Sequence, residues 1–171
     1  MVWFSSWPWW RNLLNVTSFL STSRCEGCPE TRRRLVMSER NIELMRQMAE
    51  FETSHDRDRL FALYTDDVIF RDVALDVLAT GKDEVRRLLD SVYAAMEGYS
   101  MTLTSAYADE NGGGAEWIMT GKHTGDFMDF PATGVSWKLR AASIMRFSNG
   151  LVSHRSDYWS VTSFTKQVGL A

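Results

Sequence analysis

Two aspartates stand where a solvated loop residue would be the ordinary choice. Asp72 closes an apolar run, Val68 to Asp72, just before a loop and a helix start. Asp157 lies two residues before Trp159, on the last segment with strand-like alternation. Side chains two apart on a strand share a face, so Val68, Phe70 and Asp72 form one set and Arg155, Asp157 and Trp159 another. A carboxylate on an apolar concave face loses hydration, which disfavours its charge and raises its basicity toward neutrality. That is the property needed to take a proton from carbon next to a carbonyl. Each position also has an ordinary explanation. Asp72 can cap the loop toward Gly81, and Asp157 can pair with Arg155 or Arg140.

Other polar groups are weaker candidates. His123 alternates in phase with Trp117 and Met119, so it lines a cavity or is a satisfied strand-end histidine. Ser143 can donate one modest hydrogen bond to a developing oxyanion. The aromatic and methionine set, Phe70, Met101, Trp117, Met119, Trp137, Met145 and Trp159, supplies a core and the lining of a pocket for a flat apolar ligand. His55, His123 and His154 are scattered, so no metal site is expected. Residues 109–114 hold a run of three glycines with no helix after it, which reads as a hairpin turn rather than a phosphate loop. Acid/base chemistry without a cofactor is what these residues leave.

The elements that must hold these groups can be read next. Helical spacing of Ile42, Met45, Met48, Ala49 and Glu52 predicts a helix capped by Ser38, followed by a short helix over 57–64. The strand 68–72 comes next. Asp83 and Glu84 then open a helix whose apolar face is Val85, Leu88, Leu89, Val92 and Tyr93. After Gly98 the chain reads as strands, with Trp137, Leu139, Ala141, Ser143, Met145 and Phe147 on one face of the clearest, and a short tail helix at the end. Helices first and an antiparallel meander afterwards is an α+β pattern. A strongly curved sheet around a long helix would leave a closed-ended pocket.

Composition bounds the rest. At 171 residues, 44% hydrophobic and 24% charged, the chain holds one globular domain. A net charge of −3 gives no basic surface for nucleic acid, and no apolar stretch reaches the ~18 residues of a membrane span. Residues 1–36 differ from the remainder: five Arg against two Glu give +3, leaving −6 for 37–171, and four of the seven tryptophans lie there. An acid-poor, Ser- and Arg-containing start reads as a transit peptide, a disordered tail, or sequence upstream of a working start at Met37. The protein is accordingly expected in the cytoplasm, or in an organelle if 1–36 is a targeting segment. Cys25 and Cys28 form a CxxC with no second ligand pair and are taken as incidental.

The run LYTDDVIFRDVALDVLATGKDEVRRLL, residues 63–89, resembles the ketosteroid isomerases of the nuclear-transport-factor-two-like superfamily. In that register Asp72 falls on the family's general base and Gly81 on the glycine before its third helix. IMRFSNGLVSHRSDYWS, residues 144–160, resembles the paired last strands of the same enzymes, with Trp159 at a pocket aromatic. TGKHTGDFMDFPATG, residues 120–134, with MRFSNG and the closing RSDYW and QVGL, is closer to the SnoaL-like polyketide cyclases. The resemblance spans about residues 40–170. It implies a cone of curved antiparallel and mixed sheet around N-terminal helices, a homodimer through the outer sheet face, and Asp157 as the acid/base of the cyclase branch. It departs at the isomerases' oxyanion hole, where Met48 and Ser143 replace tyrosine and aspartate. Limonene epoxide hydrolases are similar here too, but Thr124 stands where their arginine would be, beside Asp126.

The expectation is a cofactor-independent cyclase or isomerase of a small apolar carbonyl compound. Asp157 is its principal acid/base and Asp72 a second base or orienter. Phe70, Trp117, Met119, His123, Ser143, Met145, Arg155 and Trp159 surround the ligand. The opposing possibility is a non-catalytic binding or dimerisation module of the same fold.

Overall fold

The computed structural model describes residues 29–171. Cys25, Cys28 and the Trp-rich start lie outside the described residues. A long helix, α1 (Pro29–Ser54), carries its buried side chains Asn41, Leu44, Met45, Met48, Ala49, Phe51 and Glu52 at helical spacing, which makes one continuous stripe. Two expectations change here. Residues 29–36, read as lying outside the domain, belong to α1, though Leu35 and Val36 are exposed. Ser38 is inside the helix rather than capping it, and its hydroxyl donates to the Ala108 carbonyl across to the sheet.

His55, with a positive φ of 55°, turns the chain out of α1. Asp56 then caps α2 (Arg57–Ala62), accepting from the Arg59 amide at 3.1 Å. The following strand β1 (Tyr64–Asp72) is longer than the apolar run predicted, because Tyr64 is fully buried and pairs ahead of an irregularity that absorbs Thr65 to Val68. The loop expected after Asp72 contains a short strand, β2 (Val77–Thr80), antiparallel to β1 and anchored by the buried Ala79. Helix α3 (Lys82–Ala95) starts at Gly81, whose φ of 77° favours glycine.

Four long segments complete the sheet: β3 (Met96–Ala108), β4 (Gly112–His123), β5 (Ser136–Ser148) and β6 (Leu151–Trp159). The order is β2-β1-β6-β5-β4-β3, with β1 and β6 parallel and all other neighbours antiparallel. The α+β architecture is therefore present: a curved, unclosed six-stranded sheet with helices against its inner face. Irregularities in β3 at Glu97–Ser100, around Gly98 with φ 63°, and at Leu103–Ser105 interrupt the β3–β4 ladder. Such bulges bend a strand and increase its twist, which curls this end of the sheet around α1. The three-glycine run does not form the turn by itself; it enters β4. A Cβ on Gly113 would sit 2.4 Å from the Tyr107 carbonyl oxygen, so the close approach of β3 requires glycine there. The last helix, α4 (Val161–Val168), packs on β5 and buries Phe164 and Val168. No described helix is long and apolar enough to cross a membrane.

Candidate functional site

The parallel pairing of β1 with β6 decides the site. Its register sets Phe70 beside Arg155 and Asp72 beside Asp157, and the Val73 amide donates to the Asp157 carbonyl at 2.9 Å. The next strand sets Ser143 beside Asp157 and Ala141 beside Trp159. Two aspartates 85 residues apart in the sequence thus become lateral neighbours on one sheet face.

Both line a cavity of about 80 Å³. Its apolar wall comes from β1 (Phe70), α3 (Leu88, Leu89, Val92), β4 and β5 (Met119, Trp137, Leu139) and α4 (Phe164). Its polar groups are Asp72, Asp157, Arg155, Trp159, Tyr99 and Glu52. The volume is well under the ~300 Å³ at which pockets for drug-sized ligands begin, so such a ligand requires the wall to open.

The two aspartates are held differently. Asp72 accepts from the Trp159 indole N–H at 3.1 Å on Oδ1 and 2.9 Å on Oδ2, and from the Leu75 amide at 3.0 Å. It therefore caps the β1–β2 turn and faces the cavity at once, so the two readings of this residue are not exclusive. Burial pushes its carboxyl up, the Trp159 and Leu75 donors oppose that, and the negative Asp157 adds to it. Asp157 Oδ1 accepts from the Ser143 hydroxyl at 2.6 Å and from Arg155 Nε at 2.8 Å. No described donor reaches its Oδ2.

Arg155 is the centre of a buried charge cluster. Besides Asp157, its Nη1 donates to Glu52 and, at 3.0 Å, to the Tyr64 hydroxyl. Its guanidinium lies 5.3 Å from the Phe70 ring centroid. Glu52 and Arg155 side chains are only 1% and 3% exposed. A guanidinium so deeply buried is tolerable because Asp157, Glu52 and the Tyr64 hydroxyl all accept from it.

Of the residues singled out from the sequence, Asp72, Asp157, Trp159, Phe70, Met119 and Arg155 meet at this cavity. The other four stand behind or beside it. Trp117 and Met145 are fully buried in the core, with the Trp117 indole donating to Ser143 Oγ at 2.8 Å. Ser143 is a correction to the expected oxyanion donor: a hydroxyl has one proton, and here it goes to Asp157. His123 is also displaced from the expected lining. It is buried against the edge of Phe164, 5.3 Å between centroids, with Nδ1 3.3 Å from Thr133 Oγ1. Burial pulls its imidazole below the ordinary range.

Sequence reasoning did not select Glu52, Tyr99, Phe127 or Phe164 for the site. Glu52 carried a signal: a glutamate in the apolar stripe of α1. For Phe127 and Phe164 no local pattern distinguishes a wall residue from core.

The SnoaL-like domain model matches residues 45–155, and the chain belongs to that family. The cyclase aurE of Calcarisporium arbuscula is 25% identical over 117 residues, covering 66% of this chain and 83% of that protein. A Jannaschia Sp. CCS1 protein bearing the name SnoaL-like polyketide cyclase superposes with a TM-score of 0.72 at 10% identity, over 79% of this chain and 95% of that one. A Catenulispora acidiphila DSM 44928 protein with a ketosteroid isomerase-like fold, solved with trimethylamine, gives 0.67 at 22% identity, over 75% and 94%. The fold is the ketosteroid isomerase-like one.

Proposed function

We propose that the protein is an acid/base enzyme that removes and returns a proton next to the carbonyl of a small apolar compound, without a cofactor. Intramolecular aldol-type cyclisation and double-bond migration are both reached by that step. The observation that supports this most is the lateral pairing of Asp72 with Asp157 on the wall of one apolar cavity.

The environments of the two carboxylates suggest their roles, and they favour the reverse of the order read from the sequence. Asp157 is clamped through one oxygen by Arg155 and Ser143, which stabilises its charge and orients the polar end of the cavity. Asp72 has no cationic partner and burial raises its carboxyl, so the role of base falls to it. In the forward step a C–H bond breaks, the proton moves to an Asp72 oxygen, and the electron pair forms an enolate. The enolate then either attacks an internal carbonyl, the new alkoxide taking the proton back from Asp72, or is reprotonated at another carbon by Asp72.

The test is deuterium uptake from D₂O by cyclohexanone and 2-tetralone, a one-ring and a two-ring ketone, followed by NMR. Protein-dependent uptake that Asp72→Asn lowers by ~100-fold supports the reading. Equal uptake in the variant excludes Asp72 as the base. The cavity's small volume favours a second reading, a non-catalytic module whose interior is filled by side chains. Uptake of neither ketone would support that one.

A second copy of the chain is proposed as partner, across the outer sheet face where Ile144 and Tyr158 are exposed. Sedimentation at ~100 μM tests it, and a compact monomer there would count against it.

A further inference from the structure

Glu52 enters the cavity from α1, opposite in origin to the aspartates on the sheet. Its Oε1 is held by Arg155, while its Oε2 is buried without any hydrogen-bond partner. An ionised carboxylate oxygen left bare in an apolar interior is among the costliest arrangements in a protein.

Charge counting sharpens the point. Three carboxyl groups, Glu52, Asp72 and Asp157, line the cavity with a single guanidinium that pairs with only Glu52 and Asp157, so full ionisation would leave two uncompensated negative charges there. Asp72 has donors on both oxygens, and Asp157 has two donors on one. Glu52 is the most buried of the three and has a donor only at Oε1. A proton therefore rests most favourably on Glu52 Oε2. The Tyr99 hydroxyl, directed at Met119 Sδ at 3.6 Å, favours the anion only weakly. Burial is the dominant influence on Glu52 and holds its carboxyl up against the pull of Arg155.

We propose that Glu52 is a further catalytic residue: a neutral carboxylic acid whose Oε2–H donates a hydrogen bond to the substrate's carbonyl oxygen as that oxygen becomes an enolate. This rests on the proton-abstraction reading and completes it. Ser143 is committed to Asp157 and cannot serve the oxyanion, whereas Glu52 lines the cavity and keeps an unused, buried oxygen that the opening of the wall required by a ligand would expose. Asp72 receives the carbon-bound proton, negative charge develops on the substrate oxygen, and the Glu52 O–H meets it without leaving its carboxyl group. A neutral acid suits this place because it does not repel the developing charge, as an ionised one would.

The experiment uses infrared difference spectra of the full chain at neutral pH. The expected result is a protonated-carboxyl C=O band above the amide I region that is present in the parent and in Asp72→Asn and absent in Glu52→Gln. That band should move to lower frequency on saturation with phenol, an enol mimic that accepts the hydrogen bond. A parent spectrum without the band, or a band unmoved by bound phenol, overturns the assignment. In the ketone exchange assay Glu52→Leu should lose ~100-fold or more, the usual worth of one oxyanion donor. Exchange at the parent rate in a folded Glu52→Leu also overturns it. The band reports on Glu52 independently of turnover, so failure of the proton-abstraction reading and failure of this one give different results.

Discussion

The ends of β1 and β6 carry the same residue type at paired positions, yet they are different places chemically. On β6, Asp157 is tied into a chain of donors that runs from Trp117 through Ser143, with Arg155 on its other side. On β1, Asp72 has an indole and one backbone amide, and no cation. Adjacent carboxyl groups can therefore meet donors of quite different kinds. What separates them is whether the donors around each are charged. Burial raises the Asp72 carboxyl, and nearby carboxyls in unlike surroundings are a recurrent arrangement for acid/base work.

The comparison can be broken most severely at its cation. Arg155→Met removes the cation that pairs with Asp157 and the donor to Glu52 and Tyr64, and leaves the Asp157 carboxylate without compensation. We expect a loss of ~3–5 kcal/mol in urea denaturation. A loss under 1 kcal/mol would mean that Asp157 is not anchored by Arg155, and the asymmetry would vanish. Asp72→Asn tests the other side. The amide keeps the shape and can still accept from Trp159 and the Leu75 amide, so stability should match or slightly exceed the parent's, while ketone exchange falls ~100-fold, equivalent to ~2.7 kcal/mol.

Smaller effects sharpen the contrast. Ser143→Ala leaves the buried Trp117 indole without its acceptor and Asp157 with one donor fewer, which should cost about 1–3 kcal/mol. Ketone exchange should change far less than in Asp72→Asn, since Ser143 does not touch the base. The pH dependence of stability separates the carboxyls again. The folded-state carboxyls of Asp72 and Glu52 are raised, so their favourable contribution is complete below the ordinary carboxylate range and is lost as pH rises through the raised values. His123 is lowered and works in the opposite direction, destabilising the fold as pH drops below the usual imidazole range. The stability advantage of Asp72→Asn over the parent should thus be larger at about pH 7 than at about pH 3, below the ordinary carboxylate range, where the Asp72 carboxyl is protonated. An advantage that shrinks with rising pH would place Asp72 on the same footing as an ion-paired carboxylate.

The smallest effect is expected far from either strand. Deleting residues 1–36 removes the first eight described residues of α1, where Leu35 and Val36 are exposed and Arg34 lies 3.8 Å from Glu110 in a solvated pair. The melting temperature should shift by no more than ~2 °C. A ten-degree fall would show that the start of the chain packs on the domain.

Strand parity and helical spacing were enough to read much of this molecule. Trp159, Asp157 and Arg155 had to share a face because side chains alternate, and the stripe from Asn41 to Glu52 had to be buried because it repeats with the helix. The β2 strand was hidden because four residues carry little periodicity, and its existence depends on pairing with β1. Ser38 looked like a cap because capping is a local pattern, while its real partner, the Ala108 carbonyl, is seventy residues away. Ser143 and His123 were legible as inward-facing polar groups, but a sequence does not say whose hydrogen bond they will complete.

Local periodicity, then, determined the α+β order, the faces of the strands and the presence of two unusual aspartates. The tertiary structure alone decided that Asp72 and Asp157 are neighbours, since parallel pairing of the first strand with the last is a register between distant segments. It also decided that Arg155 belongs to Asp157 and Glu52 rather than to solvent. Charge state follows from those contacts, because burial and the charge of nearby donors act through distances in space and not through positions along the chain.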